Sequence, residues 1–485
     1  MWTLQLKYAQ RARELNANEI KAFLEQIVDE HAKAKVDRVV HCVISIPFGG
    51  IYPWYKPFGQ CPRGWLSGLE RFHEGGYDLL QTLLDRSHKD GMQFLAGFRM
   101  NDRHGGSLDQ PFAKKYPEWQ LKELDAGMDY KYEGVRNAVL AFTEEFLAKY
   151  DVDGIELDWM RWCHVFNPSE AKKNAPILTD FMTDMRRVVN QAGRKRGRRG
   201  LLLGIRIPQT LEECKSLGFD VKAWVQSDLI DYMCPSDFFF TDFNIRTEDF
   251  VKLTKGTPCK VYPSIHPLIA NGNAHQVHDA ASYAAAANNY YAFGADGISV
   301  YNYQYHWRSD MGSEDEWPRA LSYLTRLRDR KSVSKLDRHY LYHPLWPPGS
   351  CPTGASKYDS IELDRSKVNV GGLIHLRIAE DLTEPHLSAV LEFKVTGMTE
   401  GDEIAARLNG RDITAMQMKL IRAVDGQSAE QGRTLPAFHL YRIALSYPPT
   451  KFGDNELHLR LTKSAGKQTP VAQEFEILVH DTQAQ

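Results

Sequence analysis

The chain has 485 residues, more than one ordinary hydrophobic core supports, so two or three domains are expected. Charged residues make up 25% and hydrophobic residues 43%, the balance of a globular protein in water. A formal net charge of -2 gives no reason to expect nucleic acid or a membrane surface as partner, and no apolar run reaches the length of a membrane span.

Met1 to Tyr8 lacks the apolar core of a signal peptide. A cytoplasmic location follows, or a secreted or periplasmic one if a leader has been removed. Seven cysteines stand apart at 42, 61, 163, 214, 234, 259 and 351 with no C-x-x-C pair, which argues against a disulfide framework and a structural zinc site. They read as buried free thiols, and Cys163 has no base marked out beside it. No cofactor and no metal are expected: His275-x-x-His278 has no third ligand nearby and reads as a surface pair.

In chain order, Asn16 and Glu19 form a capping pair, and Ile20, Phe23, Leu24, Ile27 and Val28 keep a helical period on one face. Val36 to Ile46 reads as a strand, followed by a long aromatic and glycine-rich loop. A helix through Tyr77, Leu80, Leu83 and Leu84 leads to a strand from Met92 to Phe98 that ends in the polar stretch from Arg99 to Gly106. A helix near Val135 to Tyr150 precedes the strand that begins at Asp153. One near Leu178 to Val189 precedes Leu201 to Pro208, and one around Val221 to Val225 precedes Leu229 to Asp237. Further strands are expected at Lys260 to His266 and at Asp296 to Gln304, the second fed by an alanine-rich helix from Ala280 to Phe293. Strands separated by helices imply right-handed crossovers and a parallel sheet. With Trp2 to Lys7 as an eighth strand, the fold class is α/β, a closed (β/α)8 barrel of the TIM type over 1–338.

Several prolines and aromatics in 339–356 read as an ordered linker. From about Lys357 the pattern changes to short alternating segments separated by turns such as Asn409-Gly410, which predicts a C-terminal antiparallel β-sandwich over 357–485.

A barrel of this kind forms its active site where the strands end. In the strand after Asp153, Ile155 and Leu157 share one face while Glu156 and Asp158 share the other, and carboxylates rarely enter a buried strand without partners. Glycoside hydrolysis needs two carboxyl groups flanking the bond. Asp158 is the first choice for one; Asp237 and Asp102 follow for the other, with Glu156 behind them because it lies deeper. Arg99, Arg161, His164, Arg206, His266, Tyr301 and Tyr303 form the candidate substrate-binding set, and Trp159 and Trp162 are placed to stack on sugar faces. Planar guanidinium groups suit carboxylates and sulfates, so Arg99, Arg161 and Arg206 suggest an anionic sugar; neutralisation of Glu156 and Asp158 is the equally weighted alternative.

Asp153, Gly154, Ile155, Leu157 and Asp158 match an Asp-Gly-apolar-x-apolar-Asp signature, and Ile230, Asp231, Tyr232 and Pro235 match an Ile-Asp-Tyr stretch ending near a proline. On these motifs the first two-thirds of the chain resembles the glycosyl-hydrolase-like family ten proteins, barrel enzymes acting on carbohydrate. Chitinase-type and α-amylase barrels use a similar fourth-strand motif. The resemblance implies a barrel fold, a carbohydrate substrate and a catalytic carboxylate at Asp158. Met160 stands where the chitinase-type motif has its acid, and Trp159 where family-ten-like proteins often have a second acidic residue.

The function expected is therefore a glycoside hydrolase acting on a polysaccharide or oligosaccharide. Two alternatives are a uronate-polymer lyase using Tyr303, His266 and Arg206, and a carbohydrate-binding barrel without catalysis. Oligomeric state is not legible.

Overall fold

The computed structural model describes residues 15–47, 49–50, 67–102, 107–125, 127–197, 200–269, 277–307, 317–426, 428–430 and 433–484. The chain divides into two compact units. The first is Met1–Phe238 with Thr247–Ser264, and the second is Phe239–Arg246 with Ile265–Gln485.

In the first unit six parallel strands form one sheet in sequence order. They are β1 (Arg38–Ser45), β2 (Gln93–Arg99), β3 (Gly154–Asp158), β4 (Leu202–Pro208), β5 (Tyr232–Ser236) and β6 (Lys260–Val261); Gly49–Gly50 pairs antiparallel with β1 at the edge. The strand expected at Trp2 to Lys7 lies outside the described residues, whose α/β sheet has six parallel strands of the eight expected. The strand expected over Lys260 to His266 is split into β6 and a second short strand, Ser264–Ile265.

Helices form where the period and the caps predict. Asn16 accepts from the backbone of Asn18 and Glu19, and Glu19 accepts from Asn16 N at 2.7 Å, closing a capping box on the helix Ala17–Lys33. The helix Glu133–Lys149 buries Val139, Phe142 and Phe146, and the rings of Phe142 and Phe146 lie 5.3 and 5.8 Å from Phe98 of β2. Phe98 is in register with Leu157, so Ile155 and Leu157 face the helices and Glu156 and Asp158 face the other way.

That opposite face is concave. β1 and β5 are four steps apart, about 19 Å in a flat sheet, yet the Arg38 guanidinium sits 4.7 Å from the Tyr232 ring centroid. The starts of two strands are clamped alike. Asp153 accepts from Phe94 N (2.8 Å) and pairs with His88 Nε2 (2.8 Å), while Asp231 accepts from Leu203 N and Arg186 Nη2 (both 2.7 Å). Two acidic residues of the sequence signatures thus brace the end of the sheet opposite the candidate site. Gly154 is needed between them, because a Cβ there would lie 2.2 Å from the Leu202 carbonyl oxygen.

Among the described residues of the second unit lie antiparallel sheets of six and four strands, whose strands alternate buried and exposed residues, as in Leu387–Thr396 and Gly453–Lys463, and a two-stranded hairpin, Ser428–Glu430 with Arg433–Leu435. Arg338–Tyr342, where a linker was expected to begin, is instead a strand paired with Val471–Asp481. Tyr340 and Tyr342 alternate inward, and the prolines that suggested a linker come later. A buried network fixes this strand: Arg338 donates to Glu380 through Nε (2.9 Å) and Nη2 (2.7 Å), Tyr340 OH donates to the same carboxylate (2.6 Å), and so does Asn288 Nδ2 (3.1 Å) from the helix Ala280–Ala292. Among the described residues no helix is long and apolar enough to cross a membrane.

On the outer side of the same strand, His339 and the following His343 both meet Glu476, at 2.8 and 2.9 Å. Burial pulls the His339 imidazole down, but the hydrogen bond and charge of Glu476 outweigh it and leave it raised above 6.5; against burial, the two imidazoles hold Glu476 low. A histidine raised on folding stabilises fully below its unfolded value and loses that contribution as pH climbs through the folded one. His339→Gln should therefore cost about 2 kcal/mol near pH 5.5, with the difference from wild type shrinking towards pH 9 in thermal unfolding. A difference that does not change with pH would contradict the clamp.

Candidate active site

The candidate site is built on the concave face of the first unit, where β2, β3, β4 and β5 end. Register places Arg99, Asp158 and Arg206 side by side across β2, β3 and β4. All three are buried, as is Asp102 just beyond β2. Asp158 Oδ1 accepts from the backbone N–H of Met160 (3.1 Å) and Arg161 (3.0 Å) and from Arg206 Nη1 (2.9 Å). The chain after β3 thus wraps around its own last carboxylate before Trp162, whose φ of 65° is left-handed, a conformation held in place by its surroundings.

Arg206 is spent on the protein. Nε donates to Ser236 Oγ (3.1 Å) and Nη2 to the carbonyls of Asp237 (2.8 Å) and Phe238 (3.3 Å), besides the bond to Asp158. With 1% of its surface exposed and its guanidinium on Asp158, it takes the neutralising arrangement, one of the two that the sequence leaves open. Asp237 is buried directly after β5. The charges of Arg99, Asp158 and Asp102 all act on the Cys42 thiol of β1, which burial pushes up.

One layer deeper lies Glu156. Its strand neighbours in register are Gly97 and Gly204, and its Oε2 accepts from Tyr232 OH at 2.9 Å. Burial pushes its carboxyl up to about 7; the nearby charge of Asp158 adds to this, while the Tyr232 hydrogen bond and the charges of Arg206 and Arg38 oppose it. Two carboxyl groups on one face therefore have different surroundings: one ion-paired with an arginine, the other buried and holding its proton near neutrality.

Around this centre, the Arg161 guanidinium lies 5.0 Å from the Phe238 ring centroid and the Trp162 ring 5.1 Å from it. His164 is half-buried, and its carbonyl accepts from Asn101 Nδ2 (2.7 Å), which also bonds the Met128 carbonyl (2.9 Å) and so ties together the loops after β2 and β3. Trp159 is corrected: it is fully buried, packed against Tyr130, Phe181 and Phe219 at 5.7 to 6.1 Å, and cannot stack on a sugar. Alternation turns it to the helix side, as it does Leu157.

His266, Tyr301 and Tyr303 belong to the second unit. There the His266 backbone is clasped by Thr241, whose Oγ1 donates to its carbonyl and accepts from its N–H (both 2.9 Å), and the Tyr301 ring lies 5.0 Å from its imidazole. The Tyr303 hydroxyl donates to the Ala320 carbonyl, and burial pushes it well above its usual range. His278, expected at the surface, is buried against Phe243 and Tyr283. His104 and His275 lie outside the described residues.

Sequence reasoning missed Tyr232 as the partner of Glu156. The available signal was a pair of glycines inside strands, Gly97 and Gly204, at positions where a strand is expected to carry side chains.

No protein-family model matches the chain, and no curated protein matches it. Solved structures do resemble it, all three of the following being glycosidases. The α-L-fucosidase isoenzyme 2 from Paenibacillus thiaminolyticus is 11% identical over 67% of this chain and 46% of that one, with a TM-score of 0.39. The β-galactosidase from the psychrophilic Marinomonas ef1 is 10% identical over 65% and 60%, with a TM-score of 0.40. The α-L-fucosidase from Vibrio sp. strain EJY3 is 10% identical over 98% and 91%, with a TM-score of 0.37. The match to the Paenibacillus enzyme spans about half of that protein's length.

The Glu156 carboxyl makes a prediction independent of activity. Its folded value lies above its unfolded 4.5, so between about pH 4.5 and 7 the native state binds more protons than the unfolded one and stability falls as pH rises. Glu156→Gln should flatten that decline in denaturant unfolding across the window. An unchanged slope in the variant would contradict the buried, proton-holding carboxyl.

Proposed function

We propose that the protein is a glycoside hydrolase acting on a polysaccharide or oligosaccharide, with Asp158 and Glu156 as its working carboxyl pair. The observation that carries this reading is their unlike settings on one strand face, Asp158 paired with Arg206 and Glu156 raised to about 7 by burial. Pairs of carboxyls whose environments differ in this way divide acid from base or nucleophile.

In this reading Glu156 passes its proton to the leaving oxygen as the glycosidic C–O bond breaks. The Asp158 carboxylate meets the positive charge that develops on the sugar, either by bonding to the anomeric carbon or through a water whose proton it takes. Arg206 holds Asp158 in place through Nη1. Arg99, Asp102, Arg161, Trp162, His164 and Asp237 stand at or just after the ends of β2, β3 and β5 and form the proposed substrate-binding surround. The arrangement fits a closed eight-stranded barrel, whose strand ends would ring the same centre; the curvature that brings Arg38 to Tyr232 supports that architecture. With Arg206 engaged by the protein, an anionic sugar would be met by Arg99 and Arg161.

Turnover of a panel of aryl glycosides and acidic and neutral polysaccharides tests the proposal. Asp158→Asn and Glu156→Gln should each lower kcat by roughly 10²–10⁴-fold without loss of the folded state. Wild-type kcat/KM should fall as pH rises through about 7, where Glu156 gives up its proton. Saturable sugar binding with no cleavage by the wild type would overturn catalysis in favour of a carbohydrate-binding protein, and an undiminished rate in Asp158→Asn would remove the carboxyl pair.

A further inference from the structure

We propose that Tyr232 is the positioning residue for Glu156, reaching it across Gly204 and confining the proton of the carboxyl to Oε1. The inference rests on Glu156 as the acid of the proposed hydrolase, and concerns which of its oxygens delivers the proton.

Tyr232 reaches Glu156 across an intervening strand. Glu156, Gly204 and Tyr232 are consecutive partners in register across β3, β4 and β5. A side chain on β5 normally stops short of β3, about 9.6 Å away in a flat sheet, because the residue between them occupies the intervening space. Here that residue has no side chain. A Cβ on Gly204 would lie 2.0 Å from Tyr232 Cζ and 2.4 Å from its hydroxyl oxygen. The phenol ring therefore lies across β4 in the place a side chain would take, and its hydroxyl arrives at Glu156 Oε2 with a separation of 2.9 Å.

The ring is held from behind as well. The Arg38 guanidinium of β1 covers it at 4.7 Å, and the Tyr262 ring packs against it at 5.6 Å. Arg38 is in turn fixed by Gln93, through Nε (3.1 Å) and Nη2 (2.9 Å). Strands β1, β2, β4 and β5 thus all contribute to where one hydroxyl points.

A protonated carboxyl carries its hydrogen on one oxygen, and an oxygen that accepts a hydrogen bond from a phenol is the poorer place for it. Burial pushes the Tyr232 phenol well above its usual range, so it stays a donor. Oε2 is then the acceptor and Oε1 bears the transferable proton. The charged and titratable groups acting on Glu156 come from four strands: Asp158 from its own, Arg206 from β4, Tyr232 and the Cys234 thiol (3.8 Å) from β5, and Arg38 from β1. Of these, Tyr232 makes the short directional contact.

Tyr232→Phe keeps the ring and removes only the hydroxyl. The test is a carbon-13 NMR titration of protein labelled at glutamate carboxyls, with the Glu156 signal assigned by its loss in Glu156→Gln, run beside the pH profile of kcat/KM. Loss of a hydrogen bond to the charged form should move the Glu156 midpoint alkaline by about 1–2 pH units, and the descending limb of the rate profile with it. kcat should fall roughly tenfold with KM changed less than about twofold, since the substrate does not touch Tyr232. A midpoint that stays in place in Tyr232→Phe would overturn the proposal. A midpoint that moves while Glu156→Gln keeps full turnover would support the assignment of the proton to Oε1 and overturn the hydrolase reading of Glu156 instead.

Discussion

The ion pair between Arg206 and Asp158 is the interaction on which the rest of the candidate site depends. Both groups are almost wholly withdrawn from solvent, and a buried charge without its partner costs several kcal/mol. The pair survives because each member is also fastened elsewhere: Asp158 by the backbone turn that follows β3, Arg206 by Ser236 and by two carbonyls beyond β5. Three adjacent strands are thereby locked in their relative heights. Once they are, Glu156 falls between Gly97 and Gly204, and the phenol of Tyr232 can cross to it.

This explains why two acidic residues in one strand behave differently. They share a face and are two positions apart, yet one lies beside a guanidinium and the other among glycines, a phenol and a thiol. Desolvation acts on both; only one has an arginine in direct contact. The same logic separates the acidic residues at the other end of the sheet. Asp153 and Asp231 accept backbone N–H groups from neighbouring strands and hold the sheet edge, a structural task with no chemistry in it.

Much of this was legible in the sequence. Alternation in the stretch from Asp153 to Asp158 was enough to put Glu156 and Asp158 on one face, and helix–strand alternation was enough for the six parallel strands. The missing parts have particular causes. Glu156 lies one layer deeper than Asp158, between Gly97 and Gly204, and nothing in its own strand announces that the phenol of Tyr232 crosses to it. The period of two sends Trp159 to the helix side with Leu157, where it is fully buried. Arg206 pairs with Asp158, one of the two arrangements the sequence leaves open, and its further acceptors are carbonyl oxygens of Asp237 and Phe238, which no side-chain pattern announces. Arg338–Tyr342 is a strand whose alternation is masked in the sequence by the prolines that follow it.

If Asp158 takes a direct part in breaking a glycosidic bond, a small anion should replace it in a variant that lacks the carboxylate. Asp158→Gly removes the carboxylate and leaves room for a small anion. Turnover of an activated aryl glycoside by this variant is measured with and without sodium azide. The account predicts turnover that is lost in buffer and partly restored by azide, with a glycosyl azide as product. Turnover at the wild-type rate in buffer alone would contradict it.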